Sequence, residues 1–153
     1  MRYFRIDDRL VHGQVIVGWI RNLCLKWLYV VGEDISENQG MIMKLTVPED
    51  IEFNIFDFKT AAEKLSRPLE KPGMVLVKSP REILGLQENG LKIEKVHIGG
   101  LHFQPGRDQF CEFIFLSRAE VEEIREIVNR GTLVTVQALP AHREIPIEKL
   151  IQK

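Results

Sequence analysis

This chain of 153 residues has only two cysteines, no long hydrophobic run and a net charge of −1. Cys24 and Cys111 are too few for a disulfide framework and show no metal-ligand spacing, so we expect buried free thiols. No apolar run approaches the ~20 residues that span a bilayer, and no signal peptide precedes the first apolar stretch. The balanced charge argues against broad electrostatic binding of nucleic acid. A cytoplasmic protein is therefore expected.

Composition and length are those of an ordinary globular domain. Hydrophobic residues make up 44% of the chain and charged residues 28%. Neither a linker, an internal repeat nor a low-complexity segment divides the sequence. We therefore predict a single domain over residues 1–153, with a core of useful size.

Short apolar runs that suit strands alternate with helical patterns along the chain. The predicted strands are 1–6, 26–31, 51–56, 74–77, 96–98, 112–116 and 133–138. The predicted helices are about 15–23, 36–45, 57–65, 79–89, 117–130 and 147–151, and residues 101–111 are expected to form an irregular loop. This alternation predicts an α/β fold with an open, mostly parallel sheet of about seven strands and helices on both faces. One strand near the end should be antiparallel, because no crossover helix links the fifth and sixth strands.

Helix boundaries carry their own signals. Residues 79–82 and 117–120 have the serine and glutamate spacing of a capping box, and Gly90 suits a helix C-terminus. The apolar residues of the second helix that we expect to face the core are Met41, Ile42 and Leu45.

The stretch from Arg5 to His12 is the chemically richest part of the sequence. It places two carboxylates, two guanidinium groups and one imidazole in eight positions, between the first predicted strand and the first predicted helix. The first backbone N–H groups of a helix have no intrahelical partner and lie at the positive end of its dipole. Gly13, Gln14 and Val15 are therefore a predicted anion seat beside His12.

A neutral imidazole is a competent nucleophile near pH 7 and can carry a group covalently. The planar guanidinium of Arg9 suits the charge of a phosphoryl group. From the residues alone, His12 also fits a solvated side chain or a local hydrogen-bonding group, so both readings stay open at this point.

Arg5-Ile6-Asp7-Asp8-Arg9-Leu10-Val11-His12-Gly13-Gln14-Val15 resembles the active-site signature of the IIB components of the mannose–fructose–sorbose family of the sugar phosphotransferase system. Further matching segments occur in the expected order, and the resemblance covers nearly the whole chain. These segments are Lys78-Ser79-Pro80, residues 96–103, Gly106 and residues 136–140.

The resemblance implies a phosphotransferase component. His12 would accept a phosphoryl group from a phosphohistidine of the IIA component and pass it to a hexose or hexose-like sugar held by the IIC and IID membrane components. Arg9 would stabilise the phosphoryl charge, the amides of residues 13–15 would seat it, and Asp7 would orient the loop. No cofactor or metal is implied, and the protein would associate peripherally with its membrane transporter. A homo-oligomer remains an open alternative.

Other residues are expected to border the same site, because ligands of open α/β sheets bind beyond the carboxyl ends of the strands. For His102, a loop histidine bonded to the backbone is the competing reading. At Gly32-Glu33-Asp34 the chain departs from the acidic pair typical of the family, close to this edge. The residues predicted at the edge of the site are Arg5, Lys78, Ser79, Gly99 and His102.

Two other functions fit the same residues. One is a regulatory phosphoacceptor with the same histidine chemistry and no transport role. The other is a non-catalytic anion- or nucleotide-binding module, which would form no covalent phosphate.

Overall fold

Nine β-strands form within residues 1–152, the part of the chain that the computed structural model describes. Lys153, the last residue of the predicted domain, lies outside the described residues. The strands are β1 (Arg2–Asp7), β2 (Trp27–Val31), β3 (Glu52–Phe56), β4 (Gly73–Val77), β5 (Lys95–Gly100), β6 (Asp108–Cys111), β7 (Ile114–Leu116), β8 (Leu133–Val136) and β9 (Ile145–Pro146).

The first helix, Gln14–Arg21, winds as a π-helix, and we refer to it by that name. Its buried residues, Val15, Ile16, Trp19 and Ile20, follow the predicted spacing, but the wider π winding was not predicted. Five α-helices follow, and none of the described helices is long and apolar enough to cross a membrane. They are α1 (Glu37–Thr46), α2 (Phe58–Leu65), α3 (Pro80–Glu88), α4 (Arg118–Asn129) and α5 (Glu148–Ile151).

Seven of the strands form one sheet in the order β3-β2-β4-β1-β5-β8-β9. All neighbours are parallel except β8 and β9, so the predicted α/β sheet of mostly parallel strands is confirmed. The antiparallel strand is β9, not the predicted sixth strand. The predicted sixth strand corresponds to β7, which pairs with β6 in a separate antiparallel hairpin. β6 itself lies within residues 101–111, which were predicted to form a loop.

Helices cover both faces of the sheet, as predicted. The π-helix and α1 pack on one face, whereas α2, α3 and α4 pack on the other. From β1 the chain crosses β4 to reach β2, and from β4 it crosses β1 in the opposite direction to reach β5. The sheet therefore reverses its winding between β1 and β4, and a crevice opens at the carboxyl ends of these two strands.

Several local predictions are corrected by tertiary packing. The Ser117 capping box forms, whereas the hydroxyl of Ser79 bonds the Glu82 carboxylate and caps no backbone N–H group. Cys24 is exposed rather than buried, in a turn with φ of 54°. β5 runs on through Gly99 and Gly100, which had been predicted to follow it.

Helix α1 turns its apolar residues outward, against prediction. Met41, Ile42 and Leu45 are 63%, 65% and 81% exposed, whereas Met43 is 6% exposed and packs on the sheet. The short helix presents only a narrow stripe to β2 and β3, and that stripe runs through Met43.

A matched pair of substitutions in α1 tests this orientation. We expect Met43→Ala to lower the free energy of unfolding by about 2–5 kcal/mol, because it opens a cavity against the sheet. Leu45→Gln should change it by less than about 0.5 kcal/mol, because Leu45 is already in water. Urea denaturation of both variants gives the comparison, and equal losses would contradict the orientation of α1.

Candidate active site

The loop after β1 carries His12 into the crevice between β1 and β4. It turns at Leu10, which has the left-handed φ of 54° that non-glycine residues rarely adopt. The Leu10 N–H donates to the Asp7 carbonyl at 2.9 Å, and its side chain is buried in the core on the π-helix face. A buried anchor of this kind holds a strained turn in place, as is common at functional sites.

Asp7 and His12 form the central pair of the site. The Asp7 side chain is fully buried, and its Oδ2 lies 2.9 Å from His12 Nε2. Asp7 Oδ1 accepts the Arg9 backbone N–H at 3.0 Å, which fixes the orientation of the carboxylate. A carboxylate accepts only, so Nε2 carries the proton and Nδ1 is left with its lone pair. His12 is 16% exposed at its side chain, so this nitrogen is the candidate nucleophile.

The next residue, Asp8, holds a second histidine. Asp8 Oδ1 lies 2.6 Å from His102 Nδ1, and Asp8 Oδ2 accepts the His102 backbone N–H at 2.8 Å. Arg107 donates to Asp8 Oδ2 at 3.1 Å and to the His102 carbonyl at 2.6 Å. The same guanidinium group forms two bonds with Glu120, at 2.9 and 2.7 Å.

These contacts keep Asp8 ionised. Partial burial opposes ionisation, but the hydrogen bonds from His102 and Arg107 outweigh it, so the pKa of Asp8 lies below its ordinary value. Asp8 is thus an ion-pairing residue. This carboxylate ties the loop from His102 to Arg107, which lies between β5 and β6, to the end of β1.

Arg5 does not border the site, which corrects the prediction. It is 1% exposed, and its Nη1 and Nη2 donate to the carbonyls of Gln137 and Ala138 at 2.9 and 2.8 Å. Its guanidinium carbon lies 4.4 Å from the centre of the Trp19 ring. Burial lowers the pKa of Arg5 to about 10, against the attraction of Asp7, so Arg5 is charged at neutral pH.

Gly99 supports Arg5 rather than a ligand. The pairing of β1 with β5 skips Gly99, because Ile6 is opposite Ile98 and Asp7 is opposite Gly100. A Cβ atom on Gly99 would lie 2.0 Å from Arg5 Nη2, so only glycine fits this β-bulge. Gly99 therefore makes room for the buried guanidinium group.

Lys78 and Ser79 lie at the end of β4, but each is engaged with another side chain. Lys78 Nζ is 2.6 Å from Asp34 Oδ2, and this contact lowers the pKa of Asp34. Ser79 bonds Glu82, whose pKa is raised by burial. The segment Gly32-Glu33-Asp34 thus reaches this edge, as expected, and neutralises Lys78.

The predicted anion seat lies at the start of the π-helix. Gly13 and Gln14 are exposed, and nothing lies within 4 Å of the place where a Cβ on Gly13 would be. Arg9 is half exposed, with its Nε 3.9 Å from Asp7 Oδ1. Open backbone and a solvent-facing guanidinium group beside His12 leave room for a phosphate-sized anion.

The remaining histidines lie elsewhere. His97 is buried, bonds Glu144 at 2.8 Å, and lines a cavity of about 730 Å³ that does not include His12. His142 is exposed. Within residues 1–152, no three acidic, imidazole or thiol groups are arranged to hold a metal ion.

The fold and the site together define a class of protein. It is a doubly wound α/β protein in which a carboxylate holds a histidine at the point where the sheet reverses its winding. The chain matches the family described as the sorbose subfamily IIB component of the phosphotransferase system over residues 1–153. It belongs to that family, whose members serve phosphoryl transfer in sugar uptake together with IIA and the membrane components IIC and IID.

Relatives and a solved structure agree with this assignment. The chain is 27% identical over 139 residues to the sorbose-specific EIIB component of Lacticaseibacillus casei, covering 88% of this chain and 85% of that one. It is 23% identical over 150 residues to the N-acetylgalactosamine-specific IIB component 2 of Escherichia coli K12, covering 96% of each. The IIBSor domain of the Klebsiella pneumoniae sorbose permease has the same fold, with a TM-score of 0.88, 22% identity and coverage of 97% and 94%.

Sequence reasoning missed Arg107 and Glu120, which complete the network around Asp8 and His102. The only signal in the sequence was that Arg107 lies in the same loop as His102. Gly100 was also missed, although a Cβ there would lie 3.2 Å from His102 Cε1 and 3.6 Å from Asp7 Oδ2.

The two aspartates should control two different imidazoles. We expect Asp7→Asn to abolish the preference of His12 for the tautomer with Nε2 protonated, because an amide can donate as well as accept. Asp8→Asn should leave the His12 tautomer unchanged and disturb His102. Ring ¹⁵N shifts of both histidines, recorded at a pH where they are neutral, test this. A wild-type His12 with its proton on Nδ1 would contradict the arrangement.

Proposed function

We propose that the protein is a phosphocarrier in which Nδ1 of His12 holds the phosphoryl group. The observation that carries this proposal is the bond between His12 Nε2 and the buried Asp7 carboxylate, which leaves Nδ1 with its lone pair. The membership of the family supports the reaction class. The half-exposed Arg9 and the open backbone at Gly13 support the position of the phosphate beside the ring.

In the first step, His12 Nδ1 attacks the phosphorus of a phosphohistidine on the IIA component. A new P–N bond forms as the P–N bond to the donor breaks, and the donor imidazole keeps the electron pair. The exchange is between similar bonds, so catalysis consists mainly of alignment and of stabilising the charge on the three outer oxygens. Arg9 and the amides of residues 13–15 are the groups that we assign to that charge.

Asp7 has a role in both steps. With Nδ1 phosphorylated and Nε2 still protonated, the ring is cationic, and the buried carboxylate stabilises that charge at 2.9 Å from Nε2. In the second step a sugar hydroxyl attacks the phosphorus and releases its proton to solvent water. The P–N bond breaks, and His12 recovers its lone pair as a neutral leaving group.

The partners of this cycle are the phosphorylated IIA component and the IIC and IID membrane components, at which the protein would associate peripherally on the cytoplasmic side. His12 lies at an open sheet edge instead of in the 730 Å³ cavity, and this position favours docking of a protein donor. The relatives differ in the sugar in their names, N-acetylgalactosamine and sorbose among them. We assign sugar choice chiefly to the membrane components.

Phosphorylation by the general enzymes and a mannose-type IIA protein tests the assignment of His12. We expect one phosphoryl group per chain, labile in acid and stable in alkali, attached to His12 at Nδ1. It should be absent from His12→Ala and present in His142→Ala, a control that removes an exposed histidine. Mapping by mass spectrometry under alkaline conditions gives the site.

Label on His102 in the wild-type protein would contradict the assignment. Binding of phosphate compounds without any acid-labile phosphate would favour the anion-binding module instead. Transfer to His12 without onward transfer to sugar in vesicles that hold IIC and IID would favour the regulatory phosphoacceptor.

The shape of the Arg9 side chain should matter as well as its charge. We expect Arg9→Lys to slow phosphoryl transfer about tenfold, because the ammonium group keeps the charge but cannot bind two phosphoryl oxygens in one plane. The free energy of unfolding should change little, because the Arg9 side chain is half exposed. Rapid-quench measurement of transfer from IIA gives the rate, and a wild-type rate would exclude a role for the planar group.

A further inference from the structure

His102 lies in a loop, yet several hydrogen bonds fix its position. Its Nδ1 and backbone N–H both bind Asp8, and its carbonyl accepts from Arg107. Arg107 is only 9% exposed and is held in turn by Asp8 and by two bonds to Glu120. The imidazole therefore has a defined position and a defined free nitrogen, Nε2, for which residues 1–152 provide no partner.

The free edge of this ring borders the same small space as Asp7. A Cβ on Gly100 would lie 3.2 Å from His102 Cε1 and 3.6 Å from Asp7 Oδ2. Asp7 Oδ2 is itself 2.9 Å from His12 Nε2. His102 and the carboxylate that holds His12 thus lie on either side of the bare backbone of Gly100, and a side chain at this position would occupy the space between His102 and Asp7.

Within residues 1–152, few of the cations around His12 are free to bind a phosphoryl group. A phosphoryl group on His12 carries up to two negative charges, but most cations nearby are already paired. Arg5 is buried against main-chain carbonyls, Lys78 is paired with Asp34, and Arg107 lies between two carboxylates. His102 is 44% exposed at its side chain, so its ring is accessible to an anion from solvent.

We propose that Nε2 of His102, held in place by Asp8, donates a hydrogen bond to the phosphoryl group on His12. The proposal rests on the proposed function. Because Nδ1–H of His102 donates to Asp8, the ring can also donate from Nε2 only as an imidazolium. The groups that face His102 are Asp8, Arg107 and, across Gly100, Asp7, with Glu120 behind Arg107. The phosphoryl group itself favours the protonated ring.

Two amide substitutions separate this role from simple anchoring of the loop. His102→Asn places an amide donor near the position of Nδ1, so it keeps the bond to Asp8 but lacks Nε2. His102→Gln places its amide near the position of Nε2, so it keeps a donor for phosphate but loses the bond to Asp8. An anchoring role predicts the larger defect in His102→Gln, whereas the proposed role predicts it in His102→Asn.

We expect His102→Asn to reduce the rate of transfer from phosphorylated IIA about tenfold, the effect of one charge-assisted hydrogen bond. The wild-type rate should decline more steeply with rising pH than that of the variant, because the wild-type ring alone loses a donor when an imidazolium is deprotonated. His102→Gln should retain more activity than His102→Asn. A His102→Asn protein with the wild-type rate and pH profile would overturn the proposal.

A measurement on the wild-type protein keeps the test decisive if a variant fails to fold. Ring ¹⁵N shifts of His102 are followed against pH before and after phosphorylation. We expect the titration midpoint of His102 to rise on phosphorylation, because Nε2 then faces a phosphate. An unchanged midpoint would overturn the proposal. If His12 is not phosphorylated at all, the proposed function fails instead, and phosphate mapping on the same samples distinguishes the two failures.

Discussion

The buried guanidinium group of Arg5 is the interaction on which the site depends. Burying a cation costs free energy unless it is well paired, and here two main-chain carbonyls, the Trp19 ring and the nearby Asp7 compensate. Through these contacts the end of β1 is joined to the π-helix and to the segment after β8. The β-bulge at Gly99 leaves room for this side chain. The position of Asp7, two residues further on, follows from that anchor.

Consecutive aspartates after this anchor serve two different histidines. Successive side chains of a strand point to opposite faces. Asp7 therefore bonds His12, whereas Asp8, after the end of β1, bonds His102 in the loop between β5 and β6. Asp7 accepts a hydrogen bond from Nε2–H of His12, and Asp8 accepts one from Nδ1–H of His102. Each imidazole is thereby left with one free nitrogen at the same edge of the sheet. Glycine at position 100 keeps the space between His102 and Asp7 open.

Charge at this edge is largely balanced within the protein itself. Lys78 pairs with Asp34, and Arg107 pairs with Asp8 and Glu120. Under the proposed function, specificity for phosphate comes from short-range donors beside His12, which act only when the phosphoryl group is in place. This arrangement suits a carrier that must bind donor and acceptor in turn.

The sequence alone determined the alternation of strands and helices, the mostly parallel sheet and the signature around His12. These rest on local periodicity and on a contiguous motif, which the chain displays whatever its tertiary packing. Only the tertiary structure decided which charged side chains are buried and which helix face points inward. It also decided which residues distant in sequence pair with each other, as Asp8 and His102 do at a separation of 94 positions. The burial of Arg5 and the outward stripe of α1 depend on neighbours that are distant in sequence. Local pattern carries no information about those neighbours, because the free energy of burial depends on the surroundings that the whole fold supplies.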